Sequence, residues 1–286
     1  MAVKIITDSG SDIPKDLRER FDVNVIPFNV ILGDKEYLDG VSLTTEMIYQ
    51  YVAETNKLPK TAAIGPMIYR EYFEKLQADG SEVVYIGLSS GISVSFSNAE
   101  AVTKEMKGVY AVDSKSLSSG MALLVLYACE LRDAGMSAAD IAKNVSRRAD
   151  AVQCSFVLDN VEFLHKGGRC SGLTRFLSTL LKIKPTIIMK HKMEVGKKYM
   201  GNWANSVSKY AEDTFIRAPE PDLKRVFITY TTAPQSFLDG VKAQVLKKFD
   251  FKEVIFSTAQ GTISSHCGKN TLGILYMGKD EKEGLS

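Results

Sequence analysis

Glu82-Val-Val-Tyr-Ile-Gly87-Leu-Ser-Ser-Gly-Ile-Ser93 is the stretch on which the fold turns. Its apolar, β-branched first half is too short for a helix and ends at a glycine, so it reads as a buried strand. The glycine- and serine-rich half is a loop, and a helix follows through Ala99 to Lys107. The same unit stands on either side. Upstream, Val3 to Thr7 runs into Asp8-Ser-Gly-Ser-Asp12 and then a helix with Pro14 in its first turn. Downstream, Gly108 to Asp113 runs into Asp113-Ser-Lys-Ser-Leu-Ser-Ser119 and the very apolar helix Gly120 to Arg132.

Repeated strand–loop–helix units predict a parallel sheet with helices on both faces. Ligands of such sheets bind outside the carboxyl ends of the strands, where all three hydroxyl-rich loops fall. Between the units, Val23 to Leu32 reads as a strand or hairpin, and Ser42-Leu-Thr-Thr-Glu46 offers caps for a helix through Tyr51. Thr61 follows Pro59 in a loop, before a helix reaching Leu76.

A helix capped by Ser137 ends near Asp150, and the pattern changes there. Short strands at Phe156 to Leu158, Thr186 to Met189, Arg225 to Tyr230 and Glu253 to Phe256 alternate with helices at Arg175 to Leu181, Ser206 to Ile216 and Gln235 to Phe249. The expected architecture is α/β with two domains: a parallel-sheet domain over residues 1–150 and an α+β sandwich-like domain over 151–286. A chain of 286 residues exceeds the usual size of one domain.

Composition excludes several classes. Net charge is +2 with lysines spread along the chain, which gives no electrostatic case for nucleic acid. The basic cluster Lys190, Lys192, Lys197 and Lys198 reads as a solvated loop or edge. Cys129, Cys154, Cys170 and Cys267 have no metal-ligand spacing, and no stretch is long and apolar enough to span a bilayer. With no leader-like apolar segment before the first strand, a cytoplasmic protein with reduced thiols is expected.

Hydroxyls and backbone N–H groups at helix starts suit a small anion without a lysine. A fourth loop, Thr262-Ile-Ser-Ser-His266-Cys-Gly268, adds a histidine. Gly87-Leu-Ser-Ser-Gly91 also matches the G-x-S-x-G of a hydrolase elbow, with Asp113 and His266 later in the chain. A Ser89-based α/β esterase is therefore the alternative, although no upstream oxyanion motif accompanies it. Asp8 and Asp12 lack a third acidic neighbour for a metal and read as caps that brace loops. No glycine loop continues into Gly-Lys-Ser/Thr, so no P-loop is present. Lys166-Gly-Gly-Arg169 is a tight turn with two basic side chains. The helices Met121 to Cys129 and Leu173 to Ile183 (with Phe176, Leu177, Leu180 and Leu181) are apolar nearly all round. Such helices are either core or the wall of an alkyl tunnel, in which each buried methylene is worth about 0.8 kcal/mol.

Taken together, the DSGSD start, Thr61, Leu88-Ser-Ser-Gly-Ile-Ser93, Asp113-Ser-Lys-Ser, Phe163-Leu-His-Lys-Gly-Gly-Arg169-Cys-Ser171, Ile183-Lys-Pro185, His266-Cys-Gly268 and Leu272-Gly273 resemble the DegV family of bacterial fatty-acid-binding proteins. The resemblance runs from the first strand to the last loop. It implies a two-domain protein whose ligand lies in a tunnel near the domain interface. It further implies that Thr61, Ser93 and His266 hold a long-chain fatty-acid carboxylate, supported by Asp8, Ser9, Ser90, Asp113, Ser114 and Arg169. On this resemblance the chain is a lipid carrier without catalysis, cofactor or metal, which presents the acid to a separate ATP-dependent fatty-acid kinase. Its membrane contact would be transient, without stable insertion. The chain departs from the family pattern at Thr61-Ala-Ala-Ile64, Val94-Ser-Phe96, Lys198-Tyr-Met-Gly201 and Lys269-Asn270.

Overall fold

A computed structural model of the chain describes residues 2–170, 172–173, 183–216 and 218–280. The first half contributes strands β1 (Val3–Asp8), β2 (Val23–Ile26), β3 (Asn29–Leu32), β4 (Lys35–Leu38), β5 (Lys60–Ala62), β6 (Glu82–Gly87) and β7 (Val109–Asp113). Its helices are α1 (Lys15–Arg20), α2 (Thr45–Thr55), α3 (Pro66–Gln77), α4 (Ser95–Thr103), α5 (Ser119–Asp133) and α6 (Ala138–Arg148). Four strands form a parallel sheet in the order β2-β1-β6-β7. The three hydroxyl-rich loops thus leave adjacent strand ends on one edge, as the repeated unit predicts.

One strand-like run divides between two sheets. Pro27 interrupts Val23 to Leu32, and a residue without a backbone N–H cannot continue a ladder. The chain before it, β2, pairs with β1, whereas β3 pairs antiparallel with β4 and β5 in a separate three-stranded sheet. Thr61 therefore sits in a strand rather than the expected loop.

The second half contributes β8 (Val152–Gln153), β9 (Ser155–Leu158), β10 (Ile183–Lys190), β11 (Lys192–Met200), β12 (Pro221–Tyr230), β13 (Glu253–Thr258) and β14 (Thr271–Gly278). Helices α7 (Glu162–Gly167), α8 (Trp203–Asp213), α9 (Gln235–Lys248) and α10 (Gly261–Cys267) accompany them. They form one mixed sheet in the order β11-β10-β9-β14-β12-β13, with β8 against β14. Of the basic cluster, Lys190 ends β10, whereas Lys192, Lys197 and Lys198 lie on the edge strand β11, where lysines discourage further pairing. The expected helix Arg175 to Leu181 lies outside the described residues.

Strand β14 is buried at every position and lies at the centre of this sheet. Nothing in its local sequence advertises that, because Gly273 interrupts the apolar run. The glycine is needed there: a Cβ at Gly273 would lie 2.8 Å from the Ser155 carbonyl. One apolar core runs through both halves, from Ile5 and Ile86 through α5 to Phe156, Phe227 and Leu275. A second fills the far face of the mixed sheet under α8 and α9. In α5, Met121, Leu124, Val125 and Leu126 are wholly buried, so this helix joins the two halves. Each such side chain contributes about 1.5–3 kcal/mol by leaving water.

Candidate functional site

Two residues 205 positions apart meet at the edge of this core. Thr61 Oγ1 lies 2.9 Å from His266 Nε2. Thr61 is presented by edge strand β5, and His266 by the last turn of α10, a helix where the sequence suggested a loop. Gly268, at φ +71°, ends that helix.

Burial, reinforced by the nearby positive charge of Arg169, pushes the His266 imidazole down to about 4. The ring is therefore neutral near pH 7. Its Nδ1 is buried and has no hydrogen-bond partner. That nitrogen faces the end of α7, where a Cβ on Gly167 would come within 2.5 Å of it. The exposed Arg169 caps the same turn by donating from Nη1 to the Gly167 carbonyl at 2.5 Å. A neutral imidazole with one engaged and one unpartnered nitrogen, beside a threonine hydroxyl and a cation, can receive a carboxylate through hydrogen bonds.

Ser93 reaches this neighbourhood through Ser95. The Ser93 hydroxyl donates to Ser95 Oγ at 2.9 Å and accepts from the Ser95 amide at 3.2 Å. Ser95 Oγ in turn accepts from the amide of Ile64, two residues beyond β5, at 3.2 Å. Asn98 Nδ2 donates to the Ile64 carbonyl at 2.9 Å. The loop after β6 and the loop after β5 are thus tied together, and Ser95, which the sequence marks only as part of the departure Val94-Ser-Phe96, is the knot.

Most of the remaining side chains of the strand-end loops brace the protein itself, although the buried hydroxyls of Ser11 and Ser116 have no partner. Asp8 accepts from Tyr85 Oη at 2.7 Å and from the amides of Leu88 and Gly10 at 2.9 and 3.0 Å. Burial raises its carboxyl to about 6. Ser9 Oγ donates to Asp39 and accepts from the Phe28 amide. Ser90 Oγ donates to Asp113 at 2.5 Å, and Ser114 Oγ donates to the Ser116 carbonyl at 3.2 Å. Asp12, which burial also raises, accepts from Ser118 and from the Gln260 amide just before α10.

Ser89 does not have the geometry of a hydrolytic nucleophile. It is fully buried and donates to the His191 carbonyl at 2.7 Å. The imidazole beside it belongs to His191 rather than His266. Ser89 and Asp113 approach the same nitrogen, Nδ1, at 3.5 and 3.7 Å. A serine relay needs its serine and aspartate on opposite ring nitrogens. The esterase alternative is not supported.

A groove of about 710 Å³ lies between α8, β10, β11 and the segment after α6, lined by Lys115, Gln153, Ile188, His191, Tyr199 and Ile216 among others. It includes none of Thr61, Ser93 and His266. An apolar cavity of about 20 Å³ instead abuts α10, between Ile263, Cys267, Phe156 and Leu275. The thiols of Cys129, Cys154, Cys170 and Cys267 are free and buried. Among the described residues no cluster of three or more His, Cys, Asp or Glu could hold a metal, and no helix is long and apolar enough to cross a membrane.

A parallel α/β sheet joined through a common core to a mixed sheet, with a threonine–histidine pair at its edge, defines a two-domain α/β protein. A profile of the DegV family, described as uncharacterised protein, matches residues 2–279, and the chain belongs to that family. The DegV protein of Bacillus subtilis is 28% identical over 281 residues, covering 96% of this chain and 99% of that one. Among solved structures, a DegV family protein from Thermus thermophilus described for its fatty-acid binding superposes with a TM-score of 0.87. It is 26% identical and covers 98% of this chain and all of its own. DegV from Bacillus subtilis, described as a fatty acid binding protein, gives a TM-score of 0.83 at 26% identity, with 98% of this chain and 100% of that chain covered.

Proposed function

We propose that this chain binds one long-chain fatty acid, with the carboxylate at Thr61, Ser93 and His266 and the acyl chain in the apolar core beside α10. The observation that carries the reading is the Thr61–His266 pair, whose buried Nδ1 lacks a partner. A buried polar atom left unsatisfied costs about 1–3 kcal/mol, and a ligand acceptor would remove that cost. A neutral imidazole and hydroxyls hold the anion with Arg169 as the nearby cation. Similar structures that bind fatty acids support this choice over other anions.

The acyl chain would continue from the small cavity at Ile263 and Cys267 toward α5. The apolar stretch 173–183, which the sequence offers as a tunnel wall, lies largely outside the described residues. Burying each methylene contributes about 0.8 kcal/mol, so the chain supplies most of the affinity and the head group its orientation. The domain boundary belongs to the same proposal; near residue 150 it would fall between α6 and β8.

A carrier rather than an enzyme is the further reading, in which the bound acid is presented to a separate ATP-dependent kinase. Val94 and Met67 are 63% and 74% exposed at the starts of α4 and α3, beside the loop that holds Ser93 and the one that follows Thr61's strand β5. They would form the apolar rim that a partner or a membrane surface meets in passing.

Native mass spectrometry of the purified protein, followed by lipid extraction, tests binding. One fatty acid per chain is expected. The double variant Ser93→Ala with His266→Ala should lose it while its melting transition remains cooperative. Undiminished fatty-acid content in the folded double variant would place the head group elsewhere.

A further inference from the structure

Helix α10 carries His266 but cannot cap itself. It is seven residues long, far below the dozen or so that an isolated helix needs, and its own N-cap residue Gln260 makes no side-chain cap. The cap comes from more than two hundred residues away. Asp39 Oδ1 accepts from the Gly261 amide at 2.7 Å, and Oδ2 accepts from the Thr262 amide at 2.9 Å.

Asp39 is itself held. It is 2% exposed, its Oδ2 also accepts from Ser9 Oγ at 2.9 Å, and its amide donates to the Phe28 carbonyl at 2.9 Å. The two chain segments touch too closely for side chains. A Cβ on Gly261 would lie 2.5 Å from Leu43 Cδ2 and 2.8 Å from Asp39 Oδ1. A Cβ on Gly40, where φ is +71°, would lie 2.6 Å from Gln260 Oε1.

We infer that Asp39 is the positioning residue of the head-group site, setting through α10 where the His266 ring stands against Thr61. One helical turn separates the Thr262 amide from His266, so a displacement at the cap is carried to the imidazole with little loss. The Asp39 carboxylate is engaged by Ser9, Gly261 and Thr262, so it acts through the helix. Its effect on fatty-acid affinity rests on the proposed function; its effect on the ring does not.

Two readouts on the full chain separate these. Side-chain ¹H–¹⁵N spectra of ligand-free protein report the His266 ring, assigned with His266→Gln. Oleate titration reports affinity. Asp39→Ala should shift the His266 ring signals and weaken oleate about tenfold. Asp39→Asn keeps one acceptor oxygen and should shift the signals less, with a smaller loss of affinity. If Asp39→Ala does not fold, Asp39→Asn decides alone. Unmoved ring signals in a folded variant overturn the inference. If the ring signals move but the wild-type protein takes up no oleate, the positioning role stands and the ligand reading fails.

Discussion

Replacing Gly167 by alanine is a sharp test of the His266 geometry. Gly167 is the last residue of α7, and its backbone needs no left-handed conformation. In a helix, alanine gains about 0.5–1 kcal/mol over glycine. The new Cβ, however, would stand 2.5 Å from His266 Nδ1, where ordinary contact begins at 3.4 Å. The imidazole must therefore retreat by roughly 1 Å, an amount set by the ordinary spacing of packed atoms. Such a shift is large enough to disrupt the 2.9 Å Thr61–His266 hydrogen bond. Losing head-group hydrogen bonds to a charged ligand costs about 1.5–3 kcal/mol, a weakening of roughly 10- to 150-fold. Gly168 provides the control: φ is +70° and nothing lies within 4 Å of its would-be Cβ. Gly168→Ala should cost about 1–2 kcal/mol of stability and leave affinity intact. Oleate titration and urea unfolding of both variants read the two effects separately. Wild-type affinity in Gly167→Ala would refute the argument that the ring's position determines binding.

Protonation gives a second test. His266 sits at about 4 in the folded chain against 6.5 for an ordinary histidine, so only the unfolded chain takes up this proton between those values. Stability must then fall as pH drops from about 6.5 to about 4, by up to about 3 kcal/mol. Asp8 works in the opposite direction between about 6 and 3.8, because its raised carboxyl binds a proton in the folded chain first. The difference between wild type and His266→Gln isolates the histidine: the variant should gain relative stability as pH falls, whereas a difference independent of pH contradicts the buried neutral ring. Third, Ser95→Ala should cost about 1–3 kcal/mol by leaving the Ile64 amide and Ser93 hydroxyl short of a partner. It should also weaken oleate binding, and unchanged unfolding midpoint and affinity would remove Ser95 from the site's framework.

The legible part of the fold was local. β1, β6 and β7 each combine an apolar run with a glycine- or serine-rich loop, and those loops do leave one sheet edge. Helix α10 was opaque because glycine, threonine, isoleucine and two serines in Gly261–Cys267 are weak helix formers. Its order comes from Asp39 and Asp12, whose distance along the chain no window can see. Strand β5 was opaque because three residues carry no period, and its partner β3 looked like the continuation of β2. Thr61, Ser93 and His266 were named from family resemblance. The loop hydroxyls read as an anion site are mostly spent on bracing, as the bonds of Asp8, Ser9, Ser90 and Ser114 show. Asp39 left no signal of its own, and Gly167 and Ser95 showed only as parts of the Lys166-Gly-Gly-Arg169 turn and of Val94-Ser-Phe96, since each acts through a partner folded against it.

The central claim is a fatty-acid carboxylate at His266. Carboxyl-¹³C oleate titrated into protein with ¹⁵N-labelled histidine tests it most directly. The account predicts one bound carboxyl signal at one oleate per chain, a matching shift of the His266 ring, and loss of both in His266→Gln. A saturable carboxyl signal that leaves the His266 ring unmoved, or no stoichiometric binding at all, would contradict it.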